Sequence, residues 1–168
     1  MKIGRITASD RASAGVYEDV SGPEIERALI EALGPASEFV RAVVPDESAL
    51  ISAKLREFAD TAHCDLIVTT GGTGISARDV TPEATRAVLE KELPGFGEVM
   101  RIQSFAKVRT AILSRATAGT RGRTLIVNLP GKPSAVRECL EILRPALVEG
   151  VAHLRGEDPH ERRVLSGV

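Results

Sequence analysis

The residues best suited to chemistry lie between Thr69 and Asp79, in the run Thr-Thr-Gly-Gly-Thr-Gly-Ile-Ser-Ala-Arg-Asp. Gly71, Gly72 and Gly74 allow positive φ and close approach of a ligand to the backbone. Successive exposed amides in such a loop form a nest for an anion. A phosphate can therefore be held by N–H groups although the loop carries no lysine. Thr69, Thr70 and Thr73 add hydroxyls, and Arg78-Asp79 adds charge. The run is not a Walker loop, because the pattern ending in Gly-Lys-Ser/Thr is absent and "PGKPS" (130–134) resembles only its tail. Nor is it the dinucleotide fingerprint, since Ala77 stands where the third glycine belongs.

Two carboxylates, Asp46 and Asp79, are candidates to flank that phosphate. Mg²⁺ is usually held by one or two carboxylates together with phosphate oxygens, so the pair suggests a metal site. Each has a plainer alternative: Asp46 as the N-cap of the next helix, Asp79 as a surface partner of Arg78. Ser9, Asp10, Arg11 and Ser13 follow the first apolar run, where Asp10-Arg11 could also be a local turn. Ser114 and Asn128 stand beside apolar runs and could simply satisfy backbone groups. Cys64 and Cys139 lack metal-ligand spacing, and His63 beside Cys64 has no further partners, so two reduced thiols are expected. His153 and His160 are expected to be solvated.

The elements that must position these residues alternate. Residues 2–8, 38–44, 64–70 and 123–130 read as strands; the third is nearly all apolar, as in a parallel sheet buried on both faces. Residues 22–35 read as a helix with Pro23 in its first turn and Gly34-Pro35 as its stop. Residues 46–62 carry a second apolar stripe, through Leu50, Ile51, Leu55, Phe58 and Ala62. A helix is expected from Thr81 to about Lys91, with Thr81 as N-cap and Pro82 at the first position. Another is expected over 95–107. Residues 110–122 are ambiguous, read as a short strand or extended segment with a turn at Arg121-Gly122. Residues 132–154 read as a helix kinked or broken at Pro145. This alternation predicts a three-layer α/β/α sandwich with a mostly parallel central sheet. The expected domain is 1–154, followed by a charged tail, 155–168.

In open parallel sheets, ligands bind past the carboxyl ends of the strands. Four strand ends here run into polar or glycine-rich turns: "SDRAS" (9–13), "PDE" (45–47), "TTGGTG" (69–74) and "NLPGKP" (128–133). The chain has 168 residues, 43% of them hydrophobic, enough to bury a core. Its net charge of −1 and lack of a basic block argue against nucleic acid. It has no apolar run of membrane length and no signal-peptide layout, so a cytoplasmic protein is expected.

Taken in order, "SDRASAGVYEDVSGP", "VPDE", "TTGGTGISARDVTPEAT", "PGFGEVMR", "AILSRA" and "NLPGKP" resemble the molybdopterin adenylyltransferases and the related gephyrin G-domain, over nearly the whole chain except the tail. The resemblance implies a molybdopterin-binding-domain fold and a reaction of Mg²⁺-ATP with molybdopterin, giving adenylylated molybdopterin and pyrophosphate. It also implies a homotrimer and hand-over to a molybdenum insertion enzyme. By the same resemblance, Asp46 and Asp79 are the essential, metal-binding carboxylates. Nucleotide or pterin binding falls to Ser9, Asp10, Thr70, Gly71, Gly72, Thr73, Gly74, Ser114, Asn128, Pro130 and Gly131. Lys132 departs from the pattern, where a small residue or an amide is common. A non-catalytic, pterin-binding scaffold is the competing function, and a nucleotide-binding α/β protein that takes no pterin is a weaker third.

Overall fold

The computed structural model of the chain describes residues 1–34 and 38–157. Its six strands form one sheet: β1 (Lys2–Ala8), β2 (Glu38–Val44), β3 (Leu66–Thr70), β4 (Lys91–Glu92), β5 (Ala118–Arg121) and β6 (Thr124–Leu129). Their spatial order is β2-β1-β3-β6-β5-β4. β2, β1, β3 and β6 run parallel, whereas β5 and β4 add an antiparallel edge. The four predicted strands are therefore the parallel ones, and their carboxyl ends share one edge.

The two faces of the sheet are sorted by residue parity, as a pleated strand requires. Leu66 and Val68 of β3, with Leu125, Val127 and Leu129 of β6, face one layer. That layer holds α2 (Ser21–Leu33), α5 (Pro94–Phe105) and α6 (Pro133–Arg155). Ile67 and Ile126 face the other, with α3 (Ser48–Arg56), a π-helical turn (Glu57–Thr61) and α4 (Thr81–Arg86). A further helical piece, the one-turn α1 (Asp10–Ser13), sits at the end of β1. The expected three-layer α/β/α sandwich is thus the observed one. Phe58 of the π turn is 2% exposed and packs beneath Gly4, where a Cβ would meet its ring.

Several boundaries differ from expectation for local reasons. Thr81 is not an N-cap: α4 is preceded by Val80, no side chain caps it, and the buried Thr81 hydroxyl has no partner among the described residues. α4 also stops at Arg86 instead of Lys91. Lys91 and Glu92 instead pair with Thr120 and Gly119, so strand pairing captures a stretch that periodicity assigned to helix. Asp46 does not cap α3, which begins after Glu47. The ambiguous 110–122 stretch divides into a 3₁₀ turn (Arg109–Leu113), strand β5 and a tight turn at Arg121-Gly122. α6 runs unbroken through Pro145. Both Pro145 and Glu141, whose carbonyl loses its donor there, are exposed, so water can satisfy it. α6 also extends to Arg155, whose guanidinium forks onto Asp65 at 2.9 Å, past the expected domain end. The Pro35 stop and the remaining tail, including His160, lie outside the described residues. His153 is exposed and faces Glu149. No described helix is long and apolar enough to cross a membrane.

Candidate active site

The carboxyl edge of the sheet gathers the predicted loops through hydrogen bonds between them. The Ser9 hydroxyl caps α1 by accepting the Ala12 N–H at 3.2 Å. The Asp10 N–H donates to Asp46 Oδ2 at 2.9 Å, and the Asp46 N–H donates to Asp10 Oδ1 at 3.0 Å. Arg78 closes on the same Asp10 carboxylate with Nε at 2.9 Å and Nη2 at 2.7 Å. The loops after β1, β2 and β3 are thereby one unit. Arg78 thus pairs with Asp10, not with the neighbouring Asp79. Asp79 instead accepts the Ser76 N–H at 2.7 Å, in a turn of its own.

The glycine loop follows β3. Gly71 has φ of 92° and its Cα faces the Ala8 carbonyl oxygen so closely that a side chain could not fit. Gly72 has φ of 62°, and its backbone faces both the Thr81 hydroxyl and Asp46 Oδ1. The Gly72 carbonyl accepts the Thr81 N–H at 3.0 Å, which fixes the end of the loop to α4. On the other side, the Thr70 hydroxyl donates to the Pro130 carbonyl and the Ser21 hydroxyl to the Gly131 carbonyl, each at 2.7 Å. These two bonds hold the β6–α6 turn against the glycine loop.

Between these turns lies a cavity of about 620 Å³, within the usual range for a small-molecule site. Gly72, Thr73, Gly74 and Asp79 line one end, and Ser114, Pro130, Gly131 and Lys132 line it with them. Met100, Arg101, Ser104, Glu138 and Cys139 extend it between α5 and α6. Seven of the predicted site residues thus share one cavity. The other six do not line it. Asp46 and Asp10 stand behind Gly72 on the acidic side, Ser9 caps α1, and Gly71 supports the loop. Thr70 and Asn128 are fully buried. The Asn128 amide donates to the hydroxyls of Thr69 at 3.0 Å and Thr85 at 2.9 Å, so it braces β3, β6 and α4 from within the core, while its Oδ1 finds no partner among the described residues.

Charge at the site is uneven. Burial pushes the Asp46 carboxyl above its ordinary value, and the neighbouring Asp10 and Asp79 charges push the same way. The Asp10 N–H and Arg78 act against that rise. Asp10 itself is lowered, first by its hydrogen bonds from Arg78 and then by the Asp46 N–H. The cations at the cavity are Lys132 and Arg101, the latter tied to the carbonyls of Ser114 and Ala116 at 3.2 and 3.1 Å. Arg101, Ser104 and Glu138 escape a reading of the sequence because they sit mid-helix, and only the packing of α5 on α6 aims them at the cavity.

The thiols are spectators. Burial pushes both Cys64 and Cys139 up to about 11. Among the described residues, no group of three His, Cys, Asp or Glu side chains is arranged to share a metal ion.

Fold and site together define an open-sheet α/β protein with a cavity at the carboxyl edge, walled by a glycine loop, Asp79 and the β6–α6 turn. The chain belongs to the family of the probable molybdopterin binding domain, whose model matches residues 4–149. It is 56% identical over 145 residues to the molybdopterin adenylyltransferase of Helicobacter pylori strain J99, covering 86% of this chain and 82% of that one. It is 47% identical over 153 residues to the enzyme of the same name in Escherichia coli K12, covering 91% and 78%. The molybdopterin biosynthesis enzyme MoaB of Thermus thermophilus has a similar structure, with a TM-score of 0.85 at 43% identity, covering 93% of this chain and 97% of that one.

Proposed function

We propose that this protein is a molybdopterin adenylyltransferase. The observation that carries the reading is the single cavity joining the glycine loop and Asp79 to the Ser114 and Pro130–Lys132 turns. Such a cavity can hold a nucleotide and a second phosphorylated ligand side by side. The substrates are ATP and molybdopterin. A terminal phosphate oxygen of molybdopterin attacks the α-phosphorus of ATP, a new P–O bond forms, the α–β bridge breaks, and pyrophosphate leaves. No protein nucleophile is required, so catalysis rests on positioning and charge stabilisation. That fits a site without a Ser-His or Cys-His pair.

The donor set suits Mg²⁺. Asp46 and Asp79 each commit one oxygen to a backbone N–H and, among the described residues, leave the other without a hydrogen-bond partner. One or two carboxylates completed by substrate phosphates is the common way Mg²⁺ is held, and no third protein ligand is needed. When bound, Mg²⁺ would neutralise charge on the triphosphate. The loop amides would grip phosphate oxygens, Asp46 and Asp79 would hold the metal, and Lys132 at the facing turn would offset anionic charge. Ser114 and the α5–α6 wall would receive the pterin side.

The remaining proposals are coarser. Exposed apolar side chains at Val16, Tyr17, Ile75, Ile102 and Ile112 support burial against further copies of the chain, as in a homotrimer. Delivery of the product to a molybdenum insertion enzyme and a cytoplasmic location follow from the same reading. A binding-only scaffold has no use for two metal-facing carboxylates.

The test is direct. Protein is mixed with molybdopterin and Mg²⁺-ATP, and adenylylated pterin and pyrophosphate are measured. Product that disappears in Asp79→Ala, with folding intact, supports the reading. Bound molybdopterin without any pyrophosphate release would replace it with the scaffold.

A further inference from the structure

Arg115 follows Ser114 and does not line that cavity, yet it makes three hydrogen bonds to carbonyls of the glycine loop. Its backbone N–H donates to the Thr73 carbonyl at 2.8 Å. Its Nε donates to the Gly74 carbonyl at 2.6 Å and its Nη2 to the Asp79 carbonyl at 2.5 Å. The guanidinium is held in turn by the Glu83 carboxylate on α4. Among the described residues, the one other hydrogen-bonded tie from segment 73–79 to the rest of the chain is the Arg78–Asp10 pair.

Geometry turns these bonds into a function. In a trans peptide the C=O and the following N–H point in opposite directions. With the Thr73 and Gly74 carbonyls drawn toward Arg115, the N–H groups of Gly74 and Ile75 are turned away from it. Among the described residues neither N–H has an acceptor, and both residues line the cavity. Two successive free amides on a glycine-rich turn make an anion nest. Clamping the Asp79 carbonyl fixes the far end of the same loop, and with it the Asp79 carboxylate. A lysine offers one compact charge and cannot reach both carbonyls and Glu83 in one plane, as the guanidinium fork does.

We propose that Arg115 is the positioning residue of the phosphate site: from behind the loop it orients the Gly74 and Ile75 amides toward the nucleotide's phosphates and sets Asp79. This rests on the reading of the loop as a phosphate binder.

The experiment compares wild type, Arg115→Gln, Arg115→Lys and Glu83→Gln. Mg²⁺-ATP affinity is measured by calorimetry, hydrogen exchange is followed at Gly74 to Asp79, and kcat and KM for molybdopterin are determined. In Arg115→Gln, ATP affinity falls about tenfold and kcat on the order of a hundredfold, the scale expected for a displaced catalytic array. KM for molybdopterin stays within about twofold, since its contacts are elsewhere in the cavity. Exchange at 74–79 quickens, Arg115→Lys does not restore affinity, and Glu83→Gln loses a smaller part of it. Wild-type affinity and kcat in folded Arg115→Gln would overturn the proposal, as would full rescue by lysine. Should Arg115→Gln fail to fold, unchanged ATP affinity in folded Glu83→Gln overturns it and a weakened one upholds it. Absence of ATP binding by the wild type would instead remove the phosphate reading beneath it.

Discussion

The carboxylates of Asp10 and Asp46 are exchanged: each accepts the backbone N–H of the other residue, at 2.9 and 3.0 Å. This reciprocal pair staples the turn after β1 to the turn after β2. It also keeps two carboxylates close together behind the glycine loop. Arg78 balances one of them, and the second Asp46 oxygen has no hydrogen-bond partner among the described residues.

Substituting Asp46 by Asn preserves an oxygen acceptor for the Asp10 N–H while removing the charge. Turnover is expected to fall on the order of a hundredfold or more, the scale of losing one preorganised electrostatic contact. The melting temperature should change little or rise, because a carboxylate disfavoured by burial has been neutralised. Steady-state kinetics beside a thermal melt measure both.

If ionised Asp46 holds the metal as proposed, the acid limb of activity should lie above that of an ordinary aspartate, because burial raises Asp46. Arg78 lowers Asp46 through its charge. Arg78→Gln is therefore expected to move the limb to higher pH. The sign for Asp10 is opposite. Its lowered value means that the Arg78 bond contributes to folding above the ordinary carboxylate value and is lost as pH falls through the folded one. A pH–rate profile of both proteins decides the first point, and urea melts across acid pH decide the second.

Gly71 and Gly15 both have positive φ, 92° and 71°, but only Gly71 meets a backbone carbonyl where its Cβ would stand. Gly15→Ala is expected to lose about 1–2 kcal/mol, the left-handed backbone penalty alone. Gly71→Ala should lose more than that and lower nucleotide affinity as well, because Ala8 or the loop must shift. Urea midpoints for the two variants give the comparison. Equal losses would mean that the Ala8 contact relaxes freely.

Both thiols should resist alkylation at neutral pH. Cys64 and Cys139 are buried and raised to about 11, so little thiolate is present and access is poor. Iodoacetamide should label neither in the folded protein and both in urea. Labelling of Cys139 in the folded protein that substrate blocks would instead show that the cavity opens to it.

The parallel strands and the glycine loop are legible in the sequence because their signals are local. A run such as Leu66–Thr70 is apolar or uncharged at every position since both faces of β3 are covered, and glycine at 71 answers a backbone conformation other residues avoid. The end of α4 is not legible, because what competes for Lys91 and Glu92 is pairing with Thr120 and Gly119, far along the chain. Thr81 carries the side chain of an N-cap, yet its hydroxyl is buried beside Gly72 and caps nothing.

The order of residues by itself determined the layers, the sheet edge that gathers the polar and glycine-rich turns, and the family. Parity, turn chemistry and motif are properties of neighbouring residues, so they survive in one dimension. Tertiary structure alone decided that Asp10 pairs with Asp46 and Arg78, that Asn128 is a buried brace, and that Arg115 grips the loop from behind. Those bonds join residues between 32 and 68 positions apart. Their partners are chosen by where folded strands release their turns, not by spacing along the chain.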